Sequence, residues 1–254
     1  MPVQFARRLT GRERSADANR HLGFTLAFVA GATNAGGYLA VKQYTSHMTG
    51  IVSAMADNIV LGEFDLVLGG VGGLLSFLIG AACSAVMVNY ARRRQMHSEY
   101  AGPLLLEAVL LLCFGLLGAR LSEVAGLFVP LTVMLLCFIM GLQNAVISKL
   151  SNAEIRTTHI TGVVTDIGIE LGKLAYWNGA ATAGGTAVRA NRPRLRILAT
   201  LAICFFVGGV AGALGFKHLG YASTAWLALV LVVLAGVPAF DDLAGLARRW
   251  FPAK

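Results

Sequence analysis

The sequence predicts an all-α polytopic membrane protein, with six transmembrane helices and two short re-entrant half-helices arranged as two inverted repeats. Three observations predict it. Of the 254 residues, 56% are apolar and only 13% are charged, against about 25% charged in an ordinary soluble domain. The charges cluster, and between the clusters run apolar stretches of roughly the 20 residues that a bilayer-crossing helix needs. A polar motif in the first half also returns in the second.

In chain order, a basic tail over 1–20 with Arg7, Arg8, Arg12, Arg14 and Arg20 precedes a first span at about 21–41. An arginine-rich start resembles a signal peptide, but further spans follow, so the segment reads as a retained span. Spans are then expected at about 66–90, 103–119, 125–147, 196–216 and 222–240, and a cytoplasmic tail over 241–254. Residues 21–122 form membrane repeat 1 and 123–240 membrane repeat 2. Two shorter apolar segments remain, 48–62 and 160–175, carrying Asp57 in one and Asp166 with Glu170 in the other. At about 15 residues each, they fit half-membrane helices better than full crossings.

Loop charge selects between the two topologies. If both short segments cross, Arg92, Arg93 and Arg94 fall outside the cell. If both enter and leave on one side, those arginines and the cluster Arg189, Arg192, Arg194 and Arg196 fall inside. Lysine and arginine in short loops favour the cytoplasmic side, so the second arrangement is expected, with both termini cytoplasmic. The net charge of +8 therefore marks loops, and no nucleic-acid partner is expected. Cys83, Cys113, Cys137 and Cys204 lie inside apolar runs without metal-type spacing and read as small hydrophobes.

The repeat is carried by polar residues. Thr45-Ser46-His47-Met48-Thr49-Gly50 returns as Thr157-Thr158-His159-Ile160-Thr161-Gly162. Phe28-Val29-Ala30-Gly31 with Asn34-Ala35 matches Phe138-Ile139-Met140-Gly141 with Asn144-Ala145. Leu61-Gly62 matches Leu171-Gly172, and Phe77-Leu78-Ile79-Gly80 matches Phe205-Phe206-Val207-Gly208. Each half holds three crossings, an odd number, so the halves must point in opposite directions.

Chemistry concentrates at the repeated motif. Thr49-Gly50 and Thr161-Gly162 are expected to start the short helices, with hydroxyl oxygens capping free N–H groups. Two helix starts meeting at mid-membrane would favour an anion; plain capping or close packing is the equal alternative. Asn34, Gln143 and Asn144 either line the same cavity or join neighbouring helices by hydrogen bonds. His47 and His159 either carry protons or bond the backbone. Asp57, Asp166 and Glu170 are the proton-coupling candidates, since intramembrane acids usually face a cavity or a relay. Glu107 is expected to reach the cytoplasmic interface. Gly69–Gly73 and Gly208–Gly212 read as packing faces. No catalytic, Walker or dinucleotide motif is present, so neither an enzyme nor a cofactor is expected.

The G-x-x-N-A ending, the His47-Met48-Thr49-Gly50 turn and the Gly141-Leu142-Gln143-Asn144-Ala145…Thr157-Thr158-His159-Ile160-Thr161-Gly162 block resemble the YoaK-like family of small bacterial inner-membrane proteins, over about residues 21–240. The resemblance implies a bacterial cytoplasmic-membrane location and about six spans; it implies no activity. The functional expectation is a secondary transporter for a small anion or organic acid, with proton coupling through Asp166 or a histidine. A passive anion channel and a non-transporting scaffold are the alternatives. The expected partners are the lipid bilayer and a small anionic solute, and a homodimer is compatible with the glycine-rich faces.

Overall fold

The computed structural model describes residues 16–96, 98–121, 125–150, 158–177 and 187–250. Among them lie eight α-helices: α1 (Ala16–Val41), α2 (Met48–Leu61), α3 (Phe64–Arg93), α4 (Ala101–Leu121), α5 (Ala125–Leu150), α6 (Ile160–Ala175), α7 (Arg192–Leu219) and α8 (Ser223–Trp250). A 3-10 turn, Gly220–Ala222, joins the last two. Five stretches are long and apolar enough to cross a membrane: Asp17–Val41, Phe64–Arg93, Ala101–Ala119, Val129–Leu150 and Arg192–Gly236, the last holding α7 and the first half of α8. Helices α2 and α6, with 14 and 16 residues, are about 21 and 24 Å long and fall short of a hydrocarbon core of about 30 Å. The architecture is that of a polytopic membrane protein.

Helix ends depart from the expected spans where polar residues extend a helix past its apolar run. Helix α7 starts at Arg192 because Asn191 accepts the Arg194 N–H (3.0 Å) and a proline occupies the first turn, a favoured helix start. Helix α8 runs on to Trp250, through much of the expected tail. Hydropathy marks the apolar depth and not the helix end. Arg7, Arg8, Arg12, Arg14 and Thr157 lie outside the described residues.

The halves interlock. Helix α1 packs on α7 and α5 on α3, so the first helix of each half grips the third element of the other. Both contacts use the repeated Phe-x-x-Gly. A Cβ at Gly31 would strike the Phe205 carbonyl, and one at Gly208 the Phe28 carbonyl; Gly141 meets Phe77 and Gly80 meets Phe138 in the same way. Only a hydrogen in place of a side chain lets the backbones approach so closely. Phe28, Ala32 and Gly36 lie beside Gly208, Gly212 and Phe216 in that order, so α1 and α7 run parallel.

Equivalent helices, by contrast, meet antiparallel. Asn19 and Gln143 bond the Leu150 and Leu26 carbonyls, which crosses α1 against α5. Gly115 and Gly118 face Thr224 and Tyr221, which runs α4 against α8. Of the expected packing faces, Gly208–Gly212 is one. Gly69–Gly73 packs in part, with Gly70 against Met55, Gly72 against Met134 and Gly73 against Cys137, while Gly69 meets nothing within 4 Å; the equivalent of Gly208 in repeat 1 is Gly80. The sides of α3 and α7 away from these seams expose Leu75, Leu78, Ile79, Ile203, Phe206 and Val210, an apolar surface suited to lipid.

Candidate functional site

The motif residues build a chain reversal. Lys42 takes φ 57° and its N–H bonds the Tyr38 carbonyl at 2.8 Å, ending α1. Tyr44 stacks on Tyr38 with ring centroids 4.5 Å apart. The chain then runs back along α1 until Ser46 reaches Asn34, whose Oδ1 accepts the Ser46 hydroxyl at 2.9 Å and its N–H at 3.4 Å. Asn34 lies seven residues before the end of α1, about 10 Å along its axis. Helix α2 thus begins beside the interior of α1. Facing contacts of Gly70 with Ile51 and Met55 bring Met48 level with Phe77, near the midpoint of α3.

Repeat 2 makes the same reversal. Asn144 Oδ1 accepts the Thr158 hydroxyl at 2.6 Å, while its amide donates to the Met140 carbonyl at 2.8 Å. Asn144 lies six residues before the end of α5, about 9 Å along the axis. Both asparagines are buried, and their carbonyl oxygens are spent on the reversal. A positioning role is what this geometry gives them.

The expected caps differ from what is found. His47 and His159 hold the N-cap positions, and neither side chain caps the helix. Thr49, Thr161 and Gly162 are exposed. The two threonines sit two residues past the cap, inside the first turn, and so do not occupy the capping position. First-turn N–H groups therefore stay available to a ligand. The His47 ring lies against Gly50. Gln143 is buried and donates to the Leu26 carbonyl at 3.3 Å, tying α5 to α1.

His47 and Gly50 open onto a cleft of about 670 Å³ between α2, α3 and the start of α5. Its walls are largely apolar, with Ile51, Met55, Val133 and Met134, and its polar members include Lys42, Asn58 and Asp65. Residues of α6 do not line it. The other acidic candidates lie elsewhere. Asp57 is exposed toward the far end of α2. Asp166 pairs with Arg194 at 3.0 Å, and Glu170 with Lys173 at 2.8 Å and the Asn191 N–H at 2.6 Å. Lys173, followed by that N–H, holds the Glu170 carboxyl below its ordinary value. The Asp166–Arg194 pair and the Asn191 N–H bond lash α6 to α7, while Glu170–Lys173 lies within α6.

With both motif copies and both reversals in view, residues 22–237 match the family model described as Protein of unknown function (DUF1275). The chain belongs to the DUF1275 family. No curated protein and no solved structure matches it. The DUF1275 match begins inside α1 and ends inside α8, so it includes both short helices and both reversals.

One residue of this DUF1275 chain departs from its expected position. Glu107 does not reach an interface. It lies six residues into α4, fully buried, on the same stripe as Leu104, Ala108, Leu111 and Phe114. Neither carboxyl oxygen has a hydrogen-bond partner among the described residues. The spacing i, i+3, i+4, i+7 and i+10 turns all five toward the core, a signal already present in the sequence.

Proposed function

We propose that this protein is a secondary transporter for a small anion or organic acid, seated in the bacterial inner membrane with both termini cytoplasmic. In this reading the DUF1275 chain is a YoaK-like protein. Six helices cross the bilayer, and α2 and α6 are re-entrant halves of two inverted repeats. The observation that carries it is the pair of reversals. Each short helix starts about 10 Å back along the helix before it, tied there by an Asn34–Ser46 or Asn144–Thr158 bond.

A helix that starts at mid-depth presents unpaired N–H groups and a positive dipole end where lipid could satisfy neither. An anion suits that position. The antiparallel meeting of α1 with α5 and of α4 with α8 supports the inversion. In the cleft beside α2, Lys42 and His47 stand over apolar walls, an arrangement matched to a carboxylate with a short hydrocarbon body.

Purified protein in liposomes tests this with labelled formate, lactate and succinate as probes. Saturable uptake with counterflow is expected for at least one, and Thr49→Val with Thr161→Val together should abolish it without unfolding the protein. Flux that follows voltage without saturating would make the protein a channel. Flux equal to that of empty vesicles for every probe would reject transport.

A further inference from the structure

The acids first suspected of proton coupling have other occupations: Asp57 is exposed, Asp166 holds Arg194, and Glu170 holds Lys173 and Asn191. Glu107 has none. It is wholly buried and both its oxygens lack a partner among the described residues.

The surroundings of Glu107 follow from neighbouring contacts. Helix α8 and the 3-10 turn before it face α4 through Thr224 at Gly115 and Tyr221 at Gly118, which sets the buried Leu231 at the level of Glu107. Helix α3 faces it through Met87 at Gly102, bringing Cys83 to the level of Glu107. On α5 the buried titratable group is Cys137, and on α4 itself it is Cys113, half-buried. Charged and polar groups gather at the end of the bundle. There Arg92 holds Glu99 at 2.8 Å and the Tyr100 hydroxyl at 2.6 Å, and Lys149 holds Asn89 at 2.9 Å. None of them bonds Glu107.

An ionised carboxylate without a partner is far costlier to bury than the neutral acid. The arrangement seen therefore suits the –COOH form, and ionisation requires a second arrangement in which water reaches the side chain. Other polar positions occur in the same interior, since Thr33, Ser84, Thr132 and Gln143 also leave side-chain oxygens unpartnered.

We propose that Glu107 is the proton-carrying residue of this protein. Its carboxyl gives one proton to water when the bundle opens to one side and takes one back from the other, so that its charge is exposed only while it is hydrated. The link to a solute rests on the transport reading above; the proton exchange itself does not.

Infrared spectroscopy of the lipid-reconstituted chain tests the exchange without any solute. Wild-type protein should show a carboxylic-acid carbonyl band that Glu107→Gln lacks. The band should shift in heavy water and disappear reversibly as the pH is raised. A band that neither exchanges nor titrates would overturn the proposal, as would the absence of any Glu107-dependent band. Glutamine is close in shape to the neutral acid, so the variant should fold, and Glu107→Asp, which retains the acid, should keep a titrating band.

In vesicles with a trapped pH dye and the same three probes, Glu107→Gln should lose proton-linked uptake by at least about tenfold while labelled counterflow persists. Proton uptake equal to wild type would contradict the proposal. If no probe moves but the band titrates, the transport reading fails and the proton site stands.

Discussion

Helix α2 turns into α3 through Gly62 and Glu63 alone, whereas α6 is held on α7 by an ion-pair cluster across a longer connection. At the first, Gly62 takes φ 78° and Glu63 donates to the Asn58 carbonyl at 2.9 Å, a left-handed helix end. At the second, Asp166, Glu170, Lys173, Asn191 and Arg194 share the work. The starts of the two helices agree closely, each reached by a reversal onto a buried asparagine. The repeat is thus strict where the chain is deep in the bundle and free where it surfaces. Deep backbone has only protein to satisfy it; a surfacing end can use a glycine turn or charges.

The largest expected effect tests the shared interior. Gly31→Leu and Gly141→Leu each drive a side chain into a main-chain carbonyl that cannot yield, so each should cost about 3 kcal/mol or more and abolish recovery of monodisperse protein. Gly172→Leu, with open space around it, should purify normally. A benign Gly141→Leu beside a lethal Gly31→Leu would break the equivalence of the two interlocks.

Removing the reversal bonds comes next. Asn34→Ala and Asn144→Ala should each lower stability by about 1–3 kcal/mol in thermal melts followed by circular dichroism. Asn34→Ala should be the larger, because it orphans both the hydroxyl and the N–H of Ser46. Equal melting to wild type would remove the asparagines from the account. At the divergent ends, Gly62→Ala should cost about 1–2 kcal/mol, the usual expense of a left-handed alanine.

Acid should separate the two ends further. Because Lys173 and the Asn191 N–H hold the Glu170 carboxyl below its ordinary value of 4.5, its contribution is complete above that value. It fades as pH falls through the depressed value. Hydrogen exchange should therefore rise over α6 on strong acidification and stay level over α2, whose hairpin holds no ion pair among the described residues. The smallest effect belongs to the exposed Asp166–Arg194 pair: a double-mutant cycle of Asp166→Asn with Arg194→Gln should give under about 1 kcal/mol.

Much of the fold was legible because lipid imposes a coarse rule: apolar runs marked the long helices, and the short runs marked α2 and α6. The paired Phe-x-x-Gly motifs were visible as repeats, but not as partners, since which backbone a glycine admits depends on packing between halves. His47 at the N-cap position, with Thr49 left exposed, was hidden because a shift of two residues in the helix start removes the threonine from the capping position. Glu107 was misread from its closeness to a span end, although the apolar spacing of Leu104, Ala108 and Leu111 around it already turned it inward. Asp166 and Glu170 looked anomalous only until Arg194, Lys173 and Asn191, distant or adjacent in sequence, came beside them.

The central claim is that α2 returns to the side from which it entered. A chain with Cys83, Cys113, Cys137 and Cys204 replaced, carrying Glu63→Cys, Gln95→Cys or Trp177→Cys singly, tests it by labelling with a membrane-impermeant maleimide. In intact cells Glu63→Cys should label, while Gln95→Cys and Trp177→Cys should label only after the cells are broken. Labelling of Gln95→Cys in intact cells with protection of Glu63→Cys would make α2 a full crossing and contradict the account.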